Sequence, residues 1–252
     1  MQEKILEKGI PTRETLLDSL STEGATPLKR YQELFVGEES LPGLIKYELL
    51  ASLLSAIPGA LGLSLRKVFT RGLFAKAGEG LFLGPHVTLR CPGRMTLGKN
   101  VVIDGNAVLD AKGEDSQITL GDSVLVGKDT TLSCASATIA IGDDVSIGPY
   151  CYLRAGLAGI RIGSFVTIGA HTAIVSGSPS YRRLDIPMKK QIGSIRGITL
   201  GDDIWIGVGA QILDGVTLGS GSVIGAGAVV LEDIPAYAIA AGVPARVIGY
   251  RT

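Results

Sequence analysis

A run of cationic side chains in the second half of the chain could bind an anionic ligand. Five cations accompany a single acid, Asp185, between residues 182 and 196: Arg182, Arg183, Lys189, Lys190 and Arg196. Guanidinium and ammonium groups hold phosphate and carboxylate oxygens through charge-assisted hydrogen bonds. The run could therefore bind a diphosphate, a coenzyme phosphate or an anionic sugar, and the alternative is a solvated charged surface.

The chain contains two histidines, His86 and His171, and histidine is the commonest general base in enzymes. His171 lies just before the cationic run, which makes it the stronger candidate for proton transfer. Both histidines also occupy a repeating position where a left-handed backbone is expected, and this explains them without any chemistry. Both interpretations of His171 stay open at this point.

Charge balance and cysteine spacing argue against several other kinds of site. Lysine plus arginine equals aspartate plus glutamate, at 24 each, so no nucleic-acid partner is expected. Cys91, Cys134 and Cys151 show no CxxC spacing, which indicates reduced thiols in a cytoplasmic protein and no structural zinc. Two histidines are also too few for a three-histidine zinc site, so we expect no metal.

The elements that must position these residues follow a six-residue period. Aliphatic residues fall six apart without interruption in the last part of the chain: Leu200, Ile206, Ile212, Leu218, Ile224 and Val230. This period fits neither a helix nor an ordinary strand, but it fits short strands that turn a corner every six residues. Three such hexads make one triangular coil. Since the spacing recurs back to Leu83, we expect about seven stacked coils.

The corners of the predicted coils are marked by residues that tolerate a left-handed backbone. The fourth residue of a hexad is repeatedly of this kind: Asn100, Asp129, His171, Asp203, Gly209, Gly221 and Gly227. His171 therefore falls at a corner of the coil that carries the cationic run. Trp205 falls on an outward strand position, where it could stack on a ligand ring or, as we favour, pack at a subunit interface.

The first 80 residues do not follow the hexads and contain a helical pattern at 12–20. Residues 49–65 carry no charge, and four cations follow closely. Pro58 interrupts this apolar run, so a membrane-spanning helix is not expected. The segment either covers the open edge of the coil stack, which we favour, or contacts an anionic membrane surface through residues 43–76. In both cases we expect a cytoplasmic protein. In the second case it would be bound at the inner face of the membrane.

These patterns divide the chain into three parts. The predicted parts are a helical segment over residues 1–80, a β-helix over 81–235 with an inserted loop at 176–197, and a C-terminal tail over 236–252.

The hexads, the inserted loop and the end of the repeats resemble the hexapeptide-repeat acyltransferases. The end of the repeats runs from Ile206-Gly207 through Gly225-Ala226-Gly227-Ala228 to Gly242-Val243-Pro244-Ala245-Arg246. Within the family, the segment Asp185-Ile186-Pro187 is most similar to the O-acetyltransferases of sugars and surface polysaccharides.

The resemblance implies a mainly β fold, a left-handed parallel β-helix of about seven coils with a helical N-terminal segment, assembled as a homotrimer. It also implies acetyl transfer to a hydroxyl of a sugar or lipid-linked glycan, in a groove between subunits. The co-substrate would be acetyl-CoA or another acyl-CoA, without a metal, and the protein would serve polysaccharide biosynthesis.

The family base is missing from this chain. In the family a histidine of the inserted loop takes the proton from the acceptor hydroxyl, and matching the loop through Tyr181 and Asp185 puts Pro179 at that position. Proline cannot accept a proton, so His171, Tyr181 and Asp185 are the catalytic candidates.

The resemblance also assigns binding residues. It places coenzyme A along a surface of small residues with one cation for the phosphates: Gly207, Gly225, Ala226, Ala228 and Arg246. The expected acceptor-binding residues are Arg182, Arg183, Lys189, Arg196 and Trp205. Where the family carries threonine followed by a cation, this chain has Leu231-Glu232, whose carboxylate repels phosphate.

We therefore expect an acyl-CoA-dependent O-acyltransferase that lacks the usual base. The alternative is a catalytically silent or repurposed β-helix that binds an anionic ligand or a partner protein.

Overall fold

A computed structural model describes residues 26–113, 115–177, 180–191, 193 and 196–252, without the side chains of Ser52 and Lys189. The helical pattern at 12–20 and the loop position Pro179 lie outside the described residues.

In the described part of the chain, twenty-three short strands form three sheets, which are the faces of a triangular prism. The first face contains β1 Lys76–Ala77, β4 Met95–Leu97, β7 Gln117–Leu120, β10 Thr138–Ile141, β13 Ile160–Ile162, β16 Ile198–Leu200 and β19 Thr217–Leu218. The second contains β2 Phe82–Leu83, β5 Val102–Ile103, β8 Leu125–Val126, β11 Ser146–Ile147, β14 Thr167–Ile168, β17 Trp205–Ile206, β20 Val223–Ile224, β22 Ala238–Gly242 and β23 Ala245–Tyr250. The third contains β3 Thr88–Arg90, β6 Val108–Lys112, β9 Thr131–Ala135, β12 Tyr152–Ala155, β15 Ala173–Val175, β18 Gln211–Leu213 and β21 Val229–Val230.

Each coil contributes one strand to every face, and strands of successive coils pair in parallel. Seven coils result, and the left-handed parallel β-helix that the sequence predicts is confirmed. The hexad residues stack in register inside the prism, as Ile168, Ile206 and Ile224 do along the second face. The uninterrupted hexad residues from Leu200 to Val230 are each 2% exposed or less, so one continuous core runs along the coils.

The corner residues predicted to be left-handed all have φ between +55° and +74°. The corner between the second and third faces has its own column of left-handed residues in successive coils: His86, Asn106, Asp129, Tyr150, His171, Gly209 and Gly227. The prediction that His171 lies at a corner is therefore confirmed.

Short helices lie before the coils. They are α1 Pro27–Tyr31, α2 Leu41–Tyr47 and α3 Gly59–Phe69, with π-helical turns at Gln32–Val36 and Glu48–Leu53 and 3₁₀ turns at Leu54–Ala56, Thr70–Leu73, Pro92–Arg94 and Met188–Lys190. Thr26 and Ser40 cap α1 and α2 by accepting hydrogen bonds from backbone amides, and a proline follows each of them in the first turn. Ile57 has an extended backbone, which together with Pro58 interrupts the helical conformation within the apolar run before α3 begins.

The helices contact the first coil through specific hydrogen bonds. The Tyr47 hydroxyl donates to the carbonyl of Leu89 at 2.6 Å, and Nε of Arg66 donates to the carbonyl of Leu83 at 2.9 Å. The His86 amide donates to the carbonyl of Ser55 at 2.9 Å. Strand groups at this end of the stack therefore have partners in the helices. No helix in the described ranges is long and apolar enough to cross a membrane.

The ends of the β-helix differ in detail from the predicted division. Strand β1, Lys76–Ala77, lies before residue 81, where the sequence predicts the coils to begin. The predicted C-terminal tail contains β22 and β23, an antiparallel hairpin that extends the second face beyond β20.

The three cysteines are buried as free thiols. Burial raises the pKa of Cys134 to about 11, so this thiol stays protonated at neutral pH. Among the described residues, no three His, Cys, Asp or Glu side chains are close enough to hold a metal ion.

Candidate functional site

Three successive corners between the second and third faces form a continuous edge of small residues. We call the corners 169–172, 207–210 and 225–228 the His171 edge. Glycine begins each corner because the coils pass very close to one another: a Cβ at Gly207 would lie 2.5 Å from the amide nitrogen of Ala226. By contrast, a Cβ at Gly209 or Gly227 would meet nothing within 4 Å. The edge is thus open above the corner that holds His171.

His171 presents an exposed imidazole with one face occupied. Its ring lies parallel to that of Tyr150, with 5.0 Å between the ring centres and 5° between the planes. Because the two residues occupy the same position in successive coils, the other face of the imidazole is directed toward the next corner, at Gly209. Since Gly209 has no side chain, that face can receive a ligand or a reacting group.

The surface beside the open corners is apolar. Trp205 is 60% exposed, and Val208 is 54% exposed. Ala226 is exposed at the next corner, whereas Ala228 is fully buried in the core. The side chain of Ala228 therefore packs inside the prism, and the outer surface is formed by Gly209, Ala226 and Gly227.

Arg246 lies beyond the last coil on the same side of the prism. It is on β23, opposite Ala241 of β22, the strand that follows β20 on the second face. Its guanidinium is 3.6 Å from the carboxylate of Glu232, and both side chains are exposed. At the usual strand spacing, four steps along the face (β14, β17, β20, β22, β23) separate Arg246 from the His171 coil, about 19 Å.

The inserted loop leaves the prism from the coil that contains His171. It does so at the corner between the third and first faces, where β15 is followed by β16. Gln191 organises it: its amide nitrogen donates to the carbonyls of Arg183 at 2.6 Å and Ile186 at 3.1 Å, and its oxygen accepts from the Arg183 amide at 3.0 Å. Gln191 is only 7% exposed, so these bonds are shielded from water.

Asp214, from the next coil, joins the two ends of the loop. Its carboxylate accepts hydrogen bonds from the amide of Gly197 at 3.0 Å and from the hydroxyl of Ser176 at 3.4 Å. The Arg196 amide also contacts this carboxylate, at 3.3 Å, and the Arg196 guanidinium donates to the carbonyl of Asp214 at 3.0 Å. Asp214 is 5% exposed, which makes the anchor a buried one.

Two of the five cations of the run already have partners within the chain. Arg183 forms a two-point ion pair with Asp185, which holds the pKa of that carboxyl below its ordinary value. Arg196 contacts Asp214 at the loop base. Arg182 is exposed, and the side chain of Lys189 is not among those described. Arg182 and Lys190, both exposed, are therefore better placed than Arg183 and Arg196 to meet a ligand.

The structure brings together some of the predicted site residues and separates others. His171, Trp205, Gly207, Gly225 and Ala226 lie along one edge. The loop begins at the far end of the three-residue strand β15, about 10 Å from the His171 corner. Among the described residues, no hydrogen bond or ring contact joins His171 to the loop's Tyr181 or Asp185.

Sequence analysis missed three residues that shape this region. Tyr150 occupies a predictable corner position, and its ring contact with His171 could have been inferred from their equivalent places in successive coils. Asp214 and Gln191 carried no comparable signal, because the partners of a side chain in an irregular loop do not follow from any period.

We predict that Asp214→Ala loosens the loop and destabilises the protein. The buried amides of Arg196 and Gly197 would lose their acceptor, and each such loss costs about 1–3 kcal/mol. Limited proteolysis of the loop and denaturant unfolding would measure the change. Asp214→Asn is the matched control, since it keeps an acceptor oxygen in place. Equal protease resistance of the alanine variant and the wild type would contradict this role.

A comparison with protein families identifies the six-residue repeat. Residues 197–232 match the model described as bacterial transferase hexapeptide (six repeats). No curated protein matches the sequence.

Solved structures share the architecture. AntD, an N-acyltransferase from Bacillus cereus, bound to dTDP and 3-hydroxybutyryl-CoA, superposes with a TM-score of 0.52 at 22% identity, over 71% of this chain and 84% of its own. A variant of AntD bound to dTDP-4-amino-4,6-dideoxyglucose and coenzyme A superposes with a TM-score of 0.51 at 22% identity, over 71% of this chain and 85% of its own. The polysialic acid O-acetyltransferase OatWY superposes with a TM-score of 0.51 at 20% identity, over 69% of this chain and 88% of its own. The resemblance drawn from the sequence is thus confirmed for the repeat and for the fold.

Proposed function

We propose that this hexapeptide-repeat protein of the left-handed β-helix fold is an acyl-CoA-dependent O-acyltransferase acting on a hydroxyl of a sugar or lipid-linked glycan. The main support is the His171 edge. It combines an exposed imidazole, a surface of small residues and a cation four strand steps away, about 19 Å. The similar structures, which include complexes with coenzyme A, favour the same kind of co-substrate.

In this proposal the pantetheine arm lies along the small residues Gly209, Ala226 and Gly227, with the phosphates at Arg246. The nearby Glu232 does not prevent this arrangement. An ion pair between two exposed side chains contributes less than about 1 kcal/mol, so a phosphate of higher charge can replace the carboxylate as partner of Arg246.

His171 would act as the general base. The imidazole removes the proton from the acceptor hydroxyl while the oxygen attacks the thioester carbonyl carbon. A carbon–oxygen bond forms, the carbon–sulfur bond breaks, and the proton passes to the departing coenzyme A thiolate. A positioned base contributes roughly 10²- to 10⁴-fold to such a reaction. Asp185 is less suited, because its ion pair with Arg183 lowers its pKa and weakens it as a base.

The active unit in this proposal is a homotrimer. Because the loop and His171 lie at different corners of one coil, the loop of a neighbouring subunit would complete the site. Large apolar side chains on the loop are available for that contact: Tyr181, Leu184 and Met188 are 73%, 99% and 64% exposed. Trp205, also exposed, would line the same subunit boundary.

We predict a trimer in solution. Association would bury the apolar loop residues and Trp205, so sedimentation equilibrium should give three times the chain mass of 26.2 kDa. A monomer at every concentration tested would contradict the shared site.

Arg182→Glu/Arg183→Glu should weaken binding of an anionic acceptor. The double charge reversal puts two carboxylates where the ligand meets the loop, so the loss should exceed the value of one exposed ion pair, about 1 kcal/mol or fivefold. Affinities for nucleotide sugars, measured at fixed salt, would show this. Arg161→Glu, at an exposed position on the first face, is the control for net charge. An unchanged affinity would mean that the run is only a solvated surface.

The second candidate, a silent or repurposed β-helix, is favoured by Pro179 and by Leu231-Glu232 in place of the family residues. Incubation with acetyl-CoA and a panel of glycan hydroxyl acceptors separates the two, with free coenzyme thiol and acetylated product as readouts. We expect free coenzyme thiol and acetylated product to form together, as an acyltransferase requires. Binding of acetyl-CoA without transfer to any acceptor would favour the silent protein. The three buried free thiols suit the cytoplasmic location that this proposal assumes.

A further inference from the structure

The helices before the coils form an antiparallel hairpin. One arm runs from α2 through the turns to residue 56, and the other is α3 with its following turn. The arms meet where Nζ of Lys46 donates to the carbonyl of Gly72, and where Arg66 donates to the carbonyls of Leu54 and Ile57 at 3.0 and 2.7 Å. Each arm also has a side chain buried against the first coil, Tyr47 and Arg66.

The opposite faces of both arms expose large apolar side chains. On the first arm, four residues spaced four apart are 53–64% exposed: Leu41, Ile45, Leu49 and Leu53. On α3, Leu61 and Val68 are each 67% exposed, and Phe69 is 51% exposed. Contiguous apolar surface of this kind is rare on a soluble protein unless it binds something.

The hairpin is cationic within a chain whose net charge is zero. Residues 41–76, which comprise the hairpin and the first residue of the adjoining strand β1, contain five cations, Lys46, Arg66, Lys67, Arg71 and Lys76, and one acid, Glu48, which gives a net charge of +4. Of these, Arg66 is buried, and the other four cations are exposed. Glu48 accepts a hydrogen bond from the Tyr31 hydroxyl, so its charge is directed toward α1.

We infer that this hairpin binds an anionic membrane surface. The apolar residues would enter the boundary between headgroups and acyl chains, and the lysines and Arg71 would meet lipid phosphates. Neither arm can span a bilayer, so the helices would lie in the plane of the interface. A second copy of the chain is the less suitable occupant, because a symmetric contact would bring together two hairpins that, with the adjoining Lys76, carry a charge of +4 each.

The test is flotation of the full-length protein with vesicles of phosphatidylcholine alone or mixed with phosphatidylglycerol. We expect flotation with the anionic vesicles only, decreasing as salt is raised. Ile45→Gln/Leu49→Gln/Leu61→Gln/Val68→Gln should weaken the apparent affinity by at least about tenfold, since four exposed apolar side chains no longer enter the lipid.

Lys67→Gln/Lys76→Gln should weaken binding by about fivefold per lysine. Leu125→Gln/Ile248→Gln, at exposed positions of the coils and the C-terminal hairpin, is the matched control and should float like the wild type. Circular dichroism would show that every variant keeps its fold. Absence of flotation at low salt, equal flotation with neutral vesicles, or flotation unaffected by the hairpin variants would each overturn the inference. The inference would also be overturned if the protein self-associated but did not bind vesicles, and if the variant with four glutamines lost that self-association.

Discussion

His171→Asn is expected to lower the kcat of acyl transfer by about 10²- to 10⁴-fold while the protein stays folded. The amide of asparagine cannot take a proton from a hydroxyl at neutral pH. Asparagine does accept the left-handed backbone of this corner, where φ is +58°, as Asn106 does at the equivalent corner in the second coil. The loss should therefore appear in kcat and not in the unfolding midpoint.

His86→Asn is the matched control for this substitution. His86 occupies the same corner position, with φ of +57°, in the first coil, away from the small-residue surface. It should keep full activity. Wild-type activity that survives His171→Asn would refute His171 as the base and direct attention to Tyr181 and Asp185.

Ala226→Phe is expected to raise the Kd for acyl-CoA by at least about a hundredfold, which corresponds to roughly 2.7 kcal/mol. Ala226 is exposed in the middle of the small-residue surface, between the His171 corner and Arg246. A benzyl group there would occupy the space that the pantetheine arm needs. Calorimetric titration of the variant with acetyl-CoA measures the effect.

Ala236→Phe controls for adding the same group at an exposed position on a different corner of the prism. It should bind acetyl-CoA like the wild type. If Ala226→Phe binds equally well, coenzyme A does not lie along the His171 edge.

The β-helix was predictable because its six-residue period can be recognised in the spacing of the aliphatic residues. Each coil repeats the same packing problem, so an aliphatic residue every six positions fixes the faces, and a glycine, asparagine, aspartate or histidine marks many of the corners. The buried positions from Leu200 to Val230 and the positive φ of His171 follow from this repetition. The burial of Ala228 follows from the alternation of side chains, since Ala228 is two residues before the buried Val230 and so faces the core as Val230 does.

The loop could not be predicted in the same way, because its conformation depends on contacts that occur only once. The ion pair between Arg183 and Asp185 takes one cation out of the cluster, and the sequence did not indicate which one. The anchor at Asp214 lies in the next coil, and nothing near the loop in sequence indicates it. The start of the coils at Lys76 was also missed, because the position six residues before Leu83 holds Ala77, a weaker apolar signal than the leucine, isoleucine or valine of the other hexads.

Titration of the protein with acetyl-CoA tests the central claim most directly, because it requires no knowledge of the acceptor. Calorimetry reports binding, and Trp205, the single tryptophan, reports it independently by fluorescence from beside the His171 edge. We predict saturable binding with a Kd within about 1 μM to 1 mM, a change in Trp205 emission, and a shift of both titrations to at least about a hundredfold higher acetyl-CoA concentration in Ala226→Phe. Absence of both signals at saturating acetyl-CoA would contradict an acyl-CoA-dependent enzyme.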